Sequence, residues 1–373
     1  MTRFDTDFVR YCIDEKERIP TIKDWNALFS FMKEQALLGV GFRGIERMKS
    51  EGVEVPREVV LRWFAASEQI RQRNVEMNRR CVELVKRLRE DGFECCVLKG
   101  QGNTVLYPDP YMRTSGDIDV WVSPLKIIRG GERGIRDVKR KGEERKVIVE
   151  YARKEMPKAE VRCYHVEYDW KGVPVELHFM PGVMNNPFYN RRLQRWYAER
   201  MEEQCRHEVE LPDGRGRIPV PTREFNVVYQ MAHLMHHFFD EGIGLRQMMD
   251  YFYLLRKPKN RLELRDESLE RTLWHLGLYR FAGAVMWVQH EVFGLEEEYY
   301  IVPADEWRGK LLLEEIVKGG NFGHYSGLTD HSIGMKYFLK IKRNMRFVRA
   351  YPAEALCEPW FRTWHFFWRL VHG

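Results

Sequence analysis

At 373 residues, 44% hydrophobic and 31% charged, the chain has enough material for one large or two smaller globular domains and too little bias for a fibrous or disordered one. The net charge of +6 is modest, and seven scattered cysteines without a C-x-x-C pair argue against a disulfide framework or a thiolate zinc site. The longest nearly apolar stretch, 281–295, is broken by Gln289, His290 and Glu291 and is too short to cross a bilayer, and the first twenty residues hold Asp5, Asp7, Asp14, Glu15 and Glu17 without an apolar run; a cytoplasmic protein is the expectation.

Taken in chain order, Trp25, Leu28, Phe29, Met32, Leu37 and Leu38 recur at helical spacing and predict a helix within 22–49, interrupted at Gly39 and Gly41. A second helix is expected over 57–90, stopped at Asp91-Gly92. Residues 93–98 read as a buried strand, 100–107 as a short helix and 108–115 as a loop. In the next strand, 117–122, Ile118, Val120 and Val122 take one face and Asp117, Asp119 and Trp121 the other. Helical sequence follows over 133–154, then a hairpin with strands 161–168 and 173–179 about a glycine-containing turn at 169–172. Residues 212–221 are turn-rich, and beyond them helices are predicted at 223–239, 244–256, 268–293, 306–318 and 332–347. These blocks suggest an N-terminal helical segment (1–92), a central α/β core (93–220) and a C-terminal helical domain (221–373).

The chemistry concentrates between residues 98 and 119. Asp117 and Asp119, one residue apart on a strand, point the same way about 7 Å apart along the backbone and can share a divalent metal. Glu176 lies on the polar side of its strand, where Val173, Val175 and Leu177 alternate with Pro174, Glu176 and His178. It becomes a third carboxylate if that strand lies beside the aspartates. Two divalent ions roughly 3.5–4 Å apart can neutralise a triphosphate, activate an acceptor hydroxyl and stabilise departing pyrophosphate. Mg2+ or Mn2+ suits an all-oxygen ligand set. Asp117, Asp119 and Glu176 are therefore the candidate metal ligands and catalytic residues, with Glu176 also helping to deprotonate the acceptor. Lys99 and Arg113 would balance phosphate charge, backbone N–H groups around Gly100 to Gly102 would face the phosphates, and Ser115 and Gly116 would shape or contact the nucleotide. An isolated Asp-x-Asp is a weak signal; the surrounding strand, Lys-Gly, short helix and Arg-x-Ser-Gly strengthen it.

Leu98-Lys99-Gly100, Leu106-Tyr107-Pro108, Arg113, Gly116-Asp117-Ile118-Asp119-Val120 and Val175-Glu176-Leu177-His178 resemble the uncharacterised bacterial nucleotidyltransferase family of the polymerase-β-like superfamily. The similarity continues through His233 and His237, Gly244-Leu245-Arg246 with Asp250, and 319–323. It implies an α+β fold with a mixed β-sheet in the nucleotidyltransferase core, flanked by N-terminal helices and a C-terminal helical domain. It also implies metal-dependent transfer from a nucleoside triphosphate such as ATP. Where many superfamily members carry Gly-Ser in the turn before the carboxylates, this chain has Lys99-Gly100-Gln101-Gly102.

Other features have plainer readings. Residues 126–158 hold twelve Lys or Arg against six Asp or Glu; a solvated helix laced with ion pairs is the simpler account, and guidance of RNA the functional one. His233, His236 and His237 share a helix face, but no cysteine completes a zinc set; a buried polar role competes with a substrate-facing one for His233 and His237, as for His178. Arg246 and Asp250 read as an intrahelical ion pair, with phosphate binding the alternative for Arg246. Residues 319–323 suggest a sharp interhelical turn, and the aromatic C-terminus is expected to pack over the helical core, with a partner or membrane surface as its alternative. The leading function is transfer of a nucleoside monophosphate to a hydroxyl of RNA, protein or a small molecule. The alternatives are a catalytically inactive nucleotide- or partner-binding module, or a glycosyltransferase using Asp117 and Asp119 for the metal of a nucleotide sugar.

Overall fold

The computed structural model describes residues 3–125, 138–256, 267–321 and 333–372. The chain divides into two compact units, each assembled from separate stretches of sequence: 1–74, 106–114 and 234–352 in one, and 75–105, 115–233 and 353–373 in the other.

The first unit is helical. Helices α1 (Arg3–Ile13), α2 (Trp25–Glu34), α3 (Leu38–Ser50) and the opening turns of α4 (Arg57–Glu90) lie in it. Asp24 starts α2 by accepting the free N–H groups of Asn26 and Ala27 at 2.8 and 3.0 Å. The predicted interruption at Gly39 and Gly41 is displaced: the chain breaks at Gln35 to Leu37, with Ala36 at φ 56°, and both glycines lie inside α3. They are there for close packing. A Cβ on Gly39 would fall 2.3 Å from the Met112 carbonyl oxygen, and one on Gly41 would fall 2.2 Å from the Trp63 ring.

The expected long helix over 268–293 is two helices, Glu267–His275 and Tyr279–Phe293, separated at Gly277, whose φ of 75° favours a residue without a side chain. Apolar periodicity runs through the break because both helices bury residues in one core, so the pattern alone conceals it. Helices Leu245–Arg256, Glu306–Gly319 and Ile333–Met345 also lie in the unit, as does the end of helix Arg223–Asp240. Gly320 ends the second of these at φ 60°; the rest of the predicted glycine turn, at 322–323, lies outside the described residues.

The second unit carries a five-stranded mixed sheet in the order β1-β2-β5-β4-β3. The strands are β1 (Phe93–Val97), β2 (Ile118–Pro124), β3 (Glu160–Val161), β4 (His165–Trp170) and β5 (Val173–His178). Only β2 and β5 are parallel, in a register that sets Asp119 opposite Glu176. Strands β4 and β5 form the predicted hairpin with a tighter turn: Trp170 stays in the strand and Lys171-Gly172 make the reversal, at φ 52° and 84°. Two consecutive positive φ values match the twist of the flanking strands. The apolar face of the sheet, with Ile118, Val120, Val122, Val175 and Leu177, packs on Met77, Cys81, Leu84 and Leu88 of α4 and on Ile148 and Ala152 of helix Val138–Glu155.

Two further expectations are corrected in this unit. The turn-rich boundary contains the strand Arg217–Pro219, paired antiparallel with Glu208–Glu210, because Leu211, Ile218 and Val220 belong to the apolar core of the sheet. In the C-terminal helix Pro352–His372, Trp368 packs against that same core beneath the Arg145 guanidinium, while Trp360 is 79% exposed and Phe367 61%. A continuous helix whose aromatic residues surround its axis can bury only one side of itself. The first part of the basic segment, 126–137, lies outside the described residues.

Candidate active site

The carboxylates assemble through strand register. Antiparallel pairing of β1 with β2 brings the end of β1 to Asp119, whose carbonyl accepts the Leu98 N–H at 3.0 Å. The next residue is Lys99. Gly100 then turns the chain at φ 56°, ψ −114°, a conformation closed to residues with a Cβ, and helix α5 (Gln101–Thr104) follows. The Lys99 ammonium is thereby fixed 3.1 Å from Asp119 Oδ1 and 3.1 Å from His233 Nε2. On the other side of β2, parallel pairing supplies Glu176 and His178.

Asp117, Asp119 and Glu176 each present a carboxylate oxygen within 4.8 Å of the others. Asp119 is almost completely buried. Its Oδ1 accepts hydrogen bonds from His178 Nε2 and Lys99, each at 3.1 Å, whereas its Oδ2 is buried with no hydrogen-bond partner. An orphaned buried carboxylate oxygen is costly and requires an explanation. An oxygen-preferring divalent cation fits this donor set, with two further carboxylates converging on the orphan.

The electrostatics are those of tightly coupled opposite charges. Burial works against ionisation of Glu176, but His165, His178 and Lys99 together hold its carboxyl down to about 2. Burial likewise opposes a charged His178, yet its bonds to Asp119 and to Glu176, the latter at 3.0 Å, raise it to about 9. Lys99 is raised despite burial by Asp119, Asp117 and Glu176. Trp121, on the polar side of β2, stacks with Phe225 at 5.9 Å between ring centroids, and Phe225 stacks in turn with Tyr229. Tyr229 stacks with His233 at 5.8 Å, so an aromatic block lines this face of the sheet.

The remaining expected site residues divide by unit. Ser115 donates to Gln101 Oε1 at 3.2 Å, and Gly116 faces open space. The N–H of Gly102, expected to face phosphate, donates to the Lys99 carbonyl, and the N–H of Asn103 donates to the Gly100 carbonyl, which closes the turn. Arg113, His237 and Arg246 belong to the helical unit. Arg113 is buried and makes a two-pronged bond to Asp250 with both distances 2.7 Å; Tyr107 adds a third at 2.7 Å. Against the cost of burial, Arg113 holds the Asp250 carboxyl below its usual range. The planar guanidinium of Arg113 matches the carboxylate fork, while Arg246, expected as the intrahelical partner of Asp250, adds its charge to lowering the same carboxyl and donates to the Thr114 carbonyl at 3.0 Å. His237 lies 3.5 Å from Glu241.

His165 and Glu167 belong to the candidate site and were absent from the sequence expectation. His165 lies directly opposite His178 across the β4–β5 pair, with its Nδ1 3.7 Å from Glu176. The signal was present, since the alternation that turns Glu176 and His178 to one face does the same for His165 and Glu167 once the hairpin is drawn.

Comparison with curated proteins and with solved structures yields no match. A protein-family model described as uncharacterised nucleotidyltransferase does match, over residues 22–294, which takes in Lys99, the three carboxylates and His178. The chain belongs to this uncharacterised nucleotidyltransferase family.

Proposed function

We propose that the protein is a metal-dependent nucleotidyltransferase that moves a nucleoside monophosphate from a nucleoside triphosphate to an acceptor hydroxyl, with RNA and protein as the candidate acceptor classes. The observation that carries this reading is the convergence of Asp117, Asp119 and Glu176 within 4.8 Å, together with the orphaned Asp119 Oδ2. Membership of the family supports nucleotidyl transfer as the reaction class.

Asp117, Asp119 and Glu176 would hold Mg2+ or Mn2+, which when bound supplies charge neutralisation and Lewis acidity to the phosphates. Lys99, next to Asp119, keeps a positive charge at the edge of the carboxylates and would meet a phosphate oxygen there. Glu176, held ionised to about 2, is a stronger ligand than proton acceptor, so we assign it to holding the ion. His178 donates to Asp119 and Glu176 at once and fixes their separation. Ser115 and Gly116 would border the nucleotide. His233, stacked on Tyr229 and bonded to Lys99, would orient the lysine. Arg113 is assigned to holding its own unit together through Asp250.

The test incubates the protein with Mg2+, total RNA or cell extract, and each labelled nucleoside triphosphate in turn. Label should enter a macromolecule with wild type and disappear with Asp119→Asn or chelator. Equal labelling by wild type and Asp119→Asn would overturn the assignment.

A further inference from the structure

Beside the three carboxylates lies a second donor set of different chemistry. His165, Glu176 and His178 offer two ring nitrogens and one carboxylate oxygen within 4.8 Å of one another. We propose that these three residues form a cation site for a first-row transition metal such as Zn2+, adjoining the carboxylate site and sharing Glu176 with it. The inference does not rest on nucleotidyl transfer.

Three observations carry it. The first is an open nitrogen: the His165 side chain is 4% exposed, yet its Nδ1 is buried without a hydrogen-bond partner, aimed toward Glu176 Oε2 at 3.7 Å. The second is the support behind each ring. His165 Nε2 lies 3.0 Å from Glu167 Oε1, a carboxylate that can only accept, so Nε2 donates there and Nδ1 is the ring nitrogen left facing Glu176. Glu167 is in turn held by Arg162 Nε at 2.9 Å, and the bond to His165, working against burial and aided by Arg162, keeps it ionised. His178 Nδ1 lies 3.3 Å from the Met180 carbonyl oxygen, which leaves Nε2 directed at Glu176 and Asp119.

A carboxylate behind one imidazole and a backbone carbonyl behind the other are the partners that orient histidine ligands at metal centres. The third observation is donor identity. Magnesium selects oxygen and retains its waters, whereas paired imidazoles with one carboxylate suit zinc, cobalt, manganese or ferrous iron. On binding, the ion takes the place of the Nε2 proton of His178 and of any proton on His165 Nδ1, and each displaced proton leaves to solvent.

The test uses the full chain, stripped with chelator and then titrated with Co2+ and Zn2+. Visible absorption follows cobalt, and X-ray absorption at the zinc edge reads the ligands. The expected result is one tightly held equivalent of zinc with scattering from two imidazole rings, retained in millimolar Mg2+. Glu167→Gln should weaken binding roughly 10- to 100-fold by releasing the His165 ring, and His165→Ala should weaken it at least as much. An oxygen-only shell in wild type, or unchanged zinc affinity in Glu167→Gln and His165→Ala, would overturn the proposal. The wild-type spectrum decides the matter even where His165→Ala fails to fold. Asp117→Asn separates the two readings: it should abolish labelling from nucleoside triphosphate while the two-imidazole spectrum persists. Zinc bound by both rings in a protein that transfers no nucleotide would count against the proposed function alone.

Discussion

Each unit of the molecule buries a group of charges, and the two groups are finished differently. In the helical unit, Asp250 is closed on both oxygens: Arg113 takes one prong each and the Tyr107 hydroxyl adds to the first, all at 2.7 Å. In the sheet unit, three carboxylates meet Lys99 and His178, and both Asp119 Oδ2 and His165 Nδ1 are buried without a hydrogen-bond partner. A closed network rigidifies what surrounds it, and breaking one member is costly. An open one carries an unmet demand that a ligand can satisfy. Buried charge therefore does not by itself mark a functional site; convergence of several carboxylates beside an unfilled acceptor does.

Exchanging neutral residues into the two groups should separate activity from stability. Asp119→Asn should lower nucleotidyl transfer by on the order of 10³-fold, the scale of losing a principal electrostatic contact at a reacting centre, with a smaller change in urea midpoint, because the amide Oδ1 can still accept from His178 and Lys99. Asp250→Ala should do the reverse, costing about 3–5 kcal/mol in urea unfolding because Arg113 is left charged and unpaired. The double substitution Arg113→Met with Asp250→Leu should recover much of that loss.

The pH dependence sharpens the same contrast. His178 is raised from 6.5 to about 9, so its stabilisation is complete below 6.5 and is lost as pH rises through about 9. Glu176 is lowered from 4.5 to about 2, so its contribution is complete above 4.5 and is lost as pH falls through about 2. Urea midpoints measured between pH 6 and 10 should decline in wild type and lie flatter in His178→Gln. The smallest effect is expected at Gly39→Ala, about 1–3 kcal/mol read as a lower melting temperature, because the added methyl must displace the Met112 carbonyl.

Local periodicity carried much of this site. Alternation turned Asp119 to the polar side of β2, with Asp117 just before the strand, and Glu176 to the polar side of β5, without knowledge of any neighbour. Which strands would lie together was beyond it: the order β1-β2-β5-β4-β3 is set by crossovers, and only that order puts Glu176 opposite Asp119. Long-range pairing also adds the partner of Asp250 that spacing does not show. Arg246 sits at the favourable helical spacing, but the carboxylate bonds to Arg113, 137 residues away in sequence. Gly39 and Gly41 were legible as unusual and misread as interruptions, because close approach to Met112 and Trp63 exists only after folding. His165 was legible in principle through the hairpin that aligns it with His178.

That hairpin has a consequence for how the sequence can change over generations. Lys171-Gly172 fixes the pairing of Trp170 with Val173, and from there the partners count back one pair at a time to His165 and His178. One residue gained or lost within 168–170 would turn His165 and Glu167 toward the apolar side and deliver Val166 to the carboxylates, unless a bulge absorbed it. Asp169, which accepts the Gly172 N–H at 2.7 Å, and Lys171 at φ 52° hold the turn, and insertions and deletions nearby should be scarcer than substitutions in functional descendants. The hairpin thus acts as a ruler, conserved in its length more than in its lettering.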